Sequence, residues 1–300
     1  MTTRTTLESL MSTSILNMQL SSSRFQKLQE QIATGKRVNR PSDDPADTGK
    51  ILSLRSEGIR LDTFSSNIET GIQTLSFSTS TLRGAADLVQ RVQQLTVQGV
   101  NDTMDQNGRD AIAAEINQVL ESLLQIANTT RAGKYIYAGT ETTTRAFTET
   151  RNSSGDISAV AYNGNREKID YQIGPGINVQ VNQPGEEVFV DNGLFNTIIR
   201  IRDSLRNGAL SYVRDELGNI DVQQNDILGI ISKMGGVTST LLLTSNRIED
   251  TKLSINELQA SAESADFAEL VLNLKEEETV FQAALASSSL IFRTSILDYL

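Results

Sequence analysis

The sequence predicts a mainly α protein with a β insertion. It reads as a long antiparallel helical bundle formed by the N- and C-terminal halves, with terminal coiled-coil helices and a small central β-rich domain. Three observations carry this reading. Apolar residues recur every seven positions over two long stretches, from Leu54 to Val89 and from Val213 to Ala262. Between them, residues 133–190 change composition to short alternating runs of Tyr, Val, Ile and Thr, punctuated by turns. The two chain ends carry weaker apolar stripes and opposite net charge.

The first helix is predicted from Leu7, Met11, Ser14, Met18, Ser21, Phe25, Leu28 and Ile32, which follow one another at steps of three and four. That spacing is the 3.5-residue stripe of a helix lying along another helix. Ser14 and Ser21 interrupt its apolar character, so the helix needs a partner to be stable. Gly35 is placed to end it, and a basic connector from Lys36 to Arg40 follows. Asp43, Asp44, Pro45 and Asp47 then form a helix-start motif. A carboxylate before the first turn accepts free N–H groups, proline suits the first helical position, and a second acid meets the positive end of the dipole. Three aspartates in five residues also raise a metal site, but helix-start chemistry explains them without one.

The second helix carries Leu54, Leu61, Ile68, Leu75, Leu82 and Val89 and runs from residue 46 to about 100, a rod of roughly 80 Å at ~1.5 Å per residue. Gly58, Gly71 and Gly84 are its weak points. The Asn101-Asp102 and Asn107-Gly108 cluster predicts a turn, and Ile112, Ile116, Val119, Leu123 and Ile126 mark a third helix packed antiparallel on the rod. In the insertion, Tyr135–Tyr137, Ala159–Tyr162, Lys168–Ile173 and Ile177–Val181 read as strands, with Asn163-Gly164-Asn165 as a hairpin turn and residues 152–156 as a longer loop. A short helix around Phe195–Leu205 and a second rod from Val213 follow, with a break expected at Gly235-Gly236. The last helix spans about Ala265 to Leu297, with Leu274, Phe281, Leu285, Ser288 and Phe292 on one stripe and Leu290 and Leu297 beside it.

Composition narrows the chemistry. The chain has no His and no Cys. The usual general base, the usual zinc ligand, the Ser–His–Asp arrangement and thiolate chemistry are therefore absent together. Scattered carboxylates and lysines show no catalytic motif, so the expected catalytic, cofactor and metal residues are none. The net charge of −10, without a basic aromatic face, disfavours nucleic acid. No stretch is expected to reach the length of a membrane span, and no cleaved export signal is expected.

The ends complement each other. Residues 1–40 hold Arg4, Arg24, Lys27, Lys36, Arg37 and Arg40 against Glu8 and Glu30, a net of +4. Residues 263–300 hold seven acids against Lys275 and Arg293, a net of −5. Pairing of the two ends follows. The expected organisation is a terminal polymerisation domain of residues 1–45 with 265–300, a helical rod of 46–132 with 191–264, and an outer β-rich domain of 133–190. The expected assembly interface is Leu7, Met11, Met18, Phe25, Leu28 and Ile32 against Leu274, Phe281, Leu285, Phe292 and Leu297.

The segment Ile32-Ala33-Thr34-Gly35-Lys36-Arg37-Val38-Asn39-Arg40-Pro41-Ser42-Asp43-Asp44-Pro45 closely resembles the one that follows the first helix in the flagellin family. Its Arg-Pro-Ser-Asp-Asp-Pro form is similar to the members at the hook–filament junction. Tyr137-Ala138-Gly139-Thr140, Tyr162-Asn163-Gly164, Val181 to Glu186 and Thr294 to Leu300 point the same way, and Thr244 to Asp250 is similar to flagellins more generally. The resemblance implies a secreted structural subunit of the bacterial flagellum without enzymatic activity. Its implied partners are the first hook-associated protein, flagellin and identical subunits in a ring. A flagellar export chaperone on the C-terminal helix and the flagellar type III export apparatus are implied as well. A filament subunit of the flagellin type is the alternative.

Overall fold

The computed structural model describes residues 2–297, with side-chain surroundings for residue 9 and for residues 11–289. Among the described residues, six α-helices flank a β-containing segment along the chain. They are α1 (Thr2–Thr34), α2 (Pro45–Gly99), α3 (Gln106–Ala127), α4 (Leu194–Arg206), α5 (Leu210–Glu263) and α6 (Phe267–Leu297). The chain divides into two compact units, residues 1–60 with 251–300 and residues 61–250.

In the unit of residues 61–250, the seven-residue repeats become the core. Leu61, Ile68, Leu75, Leu82 and Val89 of α2 are buried, as are Val213, Ile220, Ile227, Met234, Leu241 and Ile248 of α5. Each repeat returns to one helix face after two turns, so a single stripe is withdrawn from water along the helix. The two helices run antiparallel: Gly71 lies beside Leu241, whereas the Gln93 amide reaches Asp221. The third helix lies antiparallel on α2, with Gly84 near Ile126 and the Arg91 guanidinium on Glu115 at 3.0 Å. Gly99 permits a close approach to α4, because a Cβ there would sit 2.7 Å from Leu205 Cδ2.

The glycines leave the long helices intact. Neither Gly58, Gly71 and Gly84 in α2 nor Gly235-Gly236 in α5 interrupts them, contrary to the break expected at Gly235-Gly236. A helical glycine costs about 1 kcal/mol relative to alanine, and the continuous buried stripe outweighs it. Asn107-Gly108 is likewise helical rather than a turn. Asp105 caps α3 by accepting the Gly108 N–H at 2.9 Å, and the turn itself is made at Asn101, whose carbonyl accepts the Met104 N–H.

The β segment consists of three separate antiparallel pairs. They are β1 (Thr130–Arg131) with β2 (Lys134–Tyr135), β3 (Phe147–Arg151) with β4 (Ile157–Tyr162), and β5 (Asp170–Gly174) with β6 (Ile177–Gln180). Asn163-Gly164-Asn165 joins no hairpin. Asn165 instead folds back on the loop after β2, its side-chain oxygen accepting the Thr140 N–H at 2.9 Å and its own N–H donating to Ala138 at 3.2 Å. The strand expected at Tyr135–Tyr137 stops at Tyr135, because Tyr137 turns into the interior. There Tyr137, Phe147, Phe189 and Phe195 form an aromatic cluster with centroid separations of 5.5 to 5.8 Å along the chain of contacts. Strand β3 was not foreseen, since Phe147-Thr148-Glu149-Thr150-Arg151 offers one apolar residue and no alternation.

By length and composition, α5 corrects the expectation that no stretch could span a membrane. It contains an 18-residue window of mean hydropathy 1.4, of which 17% is buried. The cause is a second apolar face beside the heptad stripe, with Leu242 and Leu243 exposed next to buried Leu241. One such helix is weak evidence for a membrane, because helices that pack on other proteins show the same composition.

Candidate assembly interface

The unit of residues 1–60 with 251–300 is built on the pairing of α1 with α6. The two run antiparallel. Ser14 Oγ lies 2.8 Å from Ser288 Oγ, Ser21 Oγ donates to Glu277 Oε1 at 2.7 Å, and the rings of Phe25 and Phe281 stack 6.3 Å apart with planes 9° from parallel. The serines that interrupt the apolar stripe therefore meet partners across the seam. Ser21 and Ser288 are buried, and a buried hydroxyl needs such a bond.

Met11, Met18, Phe25, Leu28, Ile32, Leu274 and Phe281 are all half-buried. Leu285 is 44% exposed and borders, with Met18 and Phe281, a shallow groove on the helix pair. The side chains of Leu7, Leu290, Phe292 and Leu297 lie outside the described residues. A seam of half-buried apolar side chains is what one chain alone provides. Two helices can cover only one stripe of each other, and the flanks stay open.

The connector between α1 and α2 is fixed by charge. Gly35 holds φ 69°, a left-handed conformation that lets α1 end and the chain turn. Arg37 N–H donates to the Glu263 carbonyl at 2.7 Å, and Ala265 N–H to the Gly35 carbonyl at 3.2 Å, so the connector and the α5–α6 junction share a short bridge. Lys36 Nζ and Arg55 then close on the buried Glu263 carboxylate at 2.7 and 2.6 Å, and Gln259 donates to it at 3.0 Å. Burial alone pushes the Glu263 carboxyl up, but these donors outweigh it and hold the group below its ordinary value.

The helix-start motif divides its labour. Asp44 caps α2, its Oδ1 accepting the N–H groups of Ala46 and Asp47 at 3.1 and 3.0 Å, and Pro45 is the first helical residue. Asp47 occupies the first turn and is bound by Lys50 and Arg37. Asp43 serves the connector instead. Its Oδ2 accepts the N–H groups of Asn39 and Arg40, and its Oδ1 meets Lys27 of α1 at 2.9 Å. The Lys27 bond holds the Asp43 carboxyl low, and the backbone bond from Asp47 does the same for Asp44.

Arg55 was not singled out in the sequence, and Glu263 counted only as one of the seven acids of residues 263–300. A glutamate at the end of a 54-residue helix shows no local sign of burial. Among the described residues no group of three or more His, Cys, Asp or Glu is arranged to hold a metal. The arrangement serves packing and orientation: a clamp that aims two helices, and a seam with open apolar flanks.

Residues 7–142 match the family model for the bacterial flagellin N-terminal helical region. Flagellar hook-associated protein 3 of Escherichia coli K12 is 29% identical over 170 residues, 56% of this chain and 51% of that protein. A flagellin of Clostridium tyrobutyricum is 33% identical over 114 residues, 38% of this chain and 30% of that protein. The chain thus spans about half the length of the curated hook-associated relative it matches. A solved Vibrio parahaemolyticus structure described as a flagellar hook-associated protein has the same fold, with a TM-score of 0.66 at 22% identity over 74% of this chain and all of that one.

Proposed function

We propose that this chain, whose helical frame is of the flagellin type, is a structural subunit of the bacterial flagellum that joins the hook to the flagellin filament. One observation carries the reading. The connector of residues 35–45, which carries the phrase that resembles hook–filament junction proteins, is clamped through Lys36 on Glu263 beside an α1–α6 seam whose flanks are apolar and open. In this role residues 1–45 with 265–300 act as the polymerisation domain, residues 46–132 with 191–264 as the rod, and residues 133–190 as the outer domain.

The assembly surface comprises Met11, Met18, Phe25, Leu28, Ile32, Leu274, Phe281 and Leu285, together with Leu7, Phe292 and Leu297. Neighbouring copies in a ring, the first hook-associated protein and flagellin are the partners. The exposed Leu242 and Leu243 face of α5 adds apolar surface for the same contacts. Export runs through the flagellar type III apparatus to an extracellular site, with a chaperone on the C-terminal helix beforehand. No enzymatic step belongs to this role.

Electron microscopy of flagella from a deletion strain tests the proposal. Hooks without filaments, with flagellin shed into the medium, are expected, and complementation should restore filaments. The match to the flagellin N-terminal region favours one other reading, a filament subunit. A purified protein that polymerises without limit under mild conditions would establish that alternative instead.

A further inference from the structure

The β1–β2 hairpin carries two cations in an arrangement that disfavours folding. Arg131 and Lys134 stand directly opposite each other in its register, where like charges repel. Ala132 and Gly133 between them hold φ of 50° and 77°. The left-handed conformation costs about 1 kcal/mol for an alanine. The Arg131 guanidinium donates to Thr74 Oγ1 at 2.6 Å and Gln73 Oε1 at 3.1 Å, both neutral. Among the described ion pairs, no carboxylate meets either cation.

Both cations line a half-open cleft of about 640 Å³, whose walls include Tyr135, Tyr171, Thr70 and Thr140. The Thr70 hydroxyl donates to the Ser66 carbonyl and keeps its lone pairs, and the Thr140 hydroxyl accepts from Asn165 and keeps its proton. This volume lies in the range of small-ligand sites. Asn182, another lining residue, is held in place as it accepts the Ile169 N–H at 2.8 Å and donates to the Glu167 carbonyl at 3.1 Å. Thr70 and Thr74 lie in the middle of α2, so no helix start supplies the backbone donors that a phosphate favours.

We propose that this cleft binds a carboxylated sugar unit of an acidic polysaccharide. The cations receive the carboxylate, a tyrosine ring covers the apolar face of the pyranose, and the threonine hydroxyls meet its hydroxyl groups. Binding relieves the Arg131–Lys134 repulsion, which gives an anionic ligand an advantage over a neutral sugar of equal size.

The chain has no Trp, and two of its six Tyr, Tyr135 and Tyr171, line the cleft, so a saturable change in tyrosine emission that is lost in Tyr135→Phe, Tyr171→Phe reports on it. Titration with a galacturonic acid tetramer should give a saturable change with Kd near ~1 mM, weakening as salt rises. A neutral glucose tetramer should bind at least about tenfold more weakly. The double variant Arg131→Gln, Lys134→Gln should lose about tenfold in affinity for the uronate without any fall in melting temperature, since the like-charge repulsion is removed with the charges. If the double variant fails to fold, Lys134→Gln alone serves, since that side chain is exposed. Absence of saturation, equal affinity for the neutral tetramer, or unchanged binding by the variant would each overturn the proposal. Tighter binding of polyglutamate than of the uronate would reassign the cleft to acidic peptides and overturn it too.

Discussion

At the scale of single residues, two buried charges separate the roles of the two units. Glu263 is buried and holds Lys36, Arg55 and Gln259. Asp43, Asp44, Asp47 and Glu263 all keep carboxyl pKa values below their ordinary ones. A carboxylate lowered by folding stabilises above its unfolded pKa, and that contribution is lost as pH falls through the folded value. Melting of the unit of residues 1–60 with 251–300 should therefore be flat from neutral pH down to about 5 and fall below about pH 4. Glu263→Gln should cost about 1 kcal/mol at neutral pH, since both cations are half exposed and water screens them. The gap to wild type should close on acidification, and calorimetry at several pH values measures it. Arg202 is the counterpart in the other unit. It is fully buried on α4 and donates to Asn117 Oδ1 at 2.8 Å and the Ile157 carbonyl at 2.7 Å, tying α3 to β4. Arg202→Ala leaves both acceptors unpaired beside a cavity and should cost about 3 kcal/mol in denaturant unfolding of residues 61–250.

At the scale of elements, Gly235 and Gly236 offer a direct test of what holds α5 together. A Cβ added at either meets nothing within 4 Å. Gly235→Ala and Gly236→Ala should each stabilise by up to about 1 kcal/mol, read as a rise in melting temperature. Gly99→Ala should do the reverse, because Leu205 Cδ2 must move away from 2.7 Å. The difference shows what was legible in the sequence. The heptads of α2 and α5 announced themselves, because a buried stripe seven residues apart needs no knowledge of its partner. The β insertion was only half legible. Tyr137 alternates like a strand residue yet belongs to an aromatic cluster assembled from four separate segments, and Phe147 sits in a strand without a pattern. Asn163-Gly164-Asn165 has the composition of a hairpin turn, but its role is set by the distant Ala138–Thr140 loop. Those choices are made by long-range packing, which local spacing does not encode. In the candidate interface, the stripe on α1 was visible, while the pairing of Ser14 with Ser288 and of Ser21 with Glu277 was not.

At the scale of the whole molecule, the C-terminal helix joins sequence, structure and proposed assembly. Within one chain, Phe281 stacks on Phe25, yet Leu285 one turn further on stays exposed beside the groove. The Phe25–Phe281 contact alone is a modest anchor, since a stacked pair contributes about 1 kcal/mol beyond its buried area. Most of the apolar flank is therefore open, and in the proposed role a chaperone before export and neighbouring subunits afterwards would cover it by helix-in-groove contact. Phe281→Ala with Phe292→Ala should weaken chaperone capture and incorporation at the hook tip, each measured against wild type in a pull-down and by microscopy. The melting of residues 61–250 should stay unchanged, because that unit has its own core of Leu82, Ile116, Leu120 and Ile227. If the helix were simply part of one cooperative core, the same double variant would lower that melting by many degrees and leave capture intact. The two outcomes are opposite in both readouts, so one preparation of the variant decides between them.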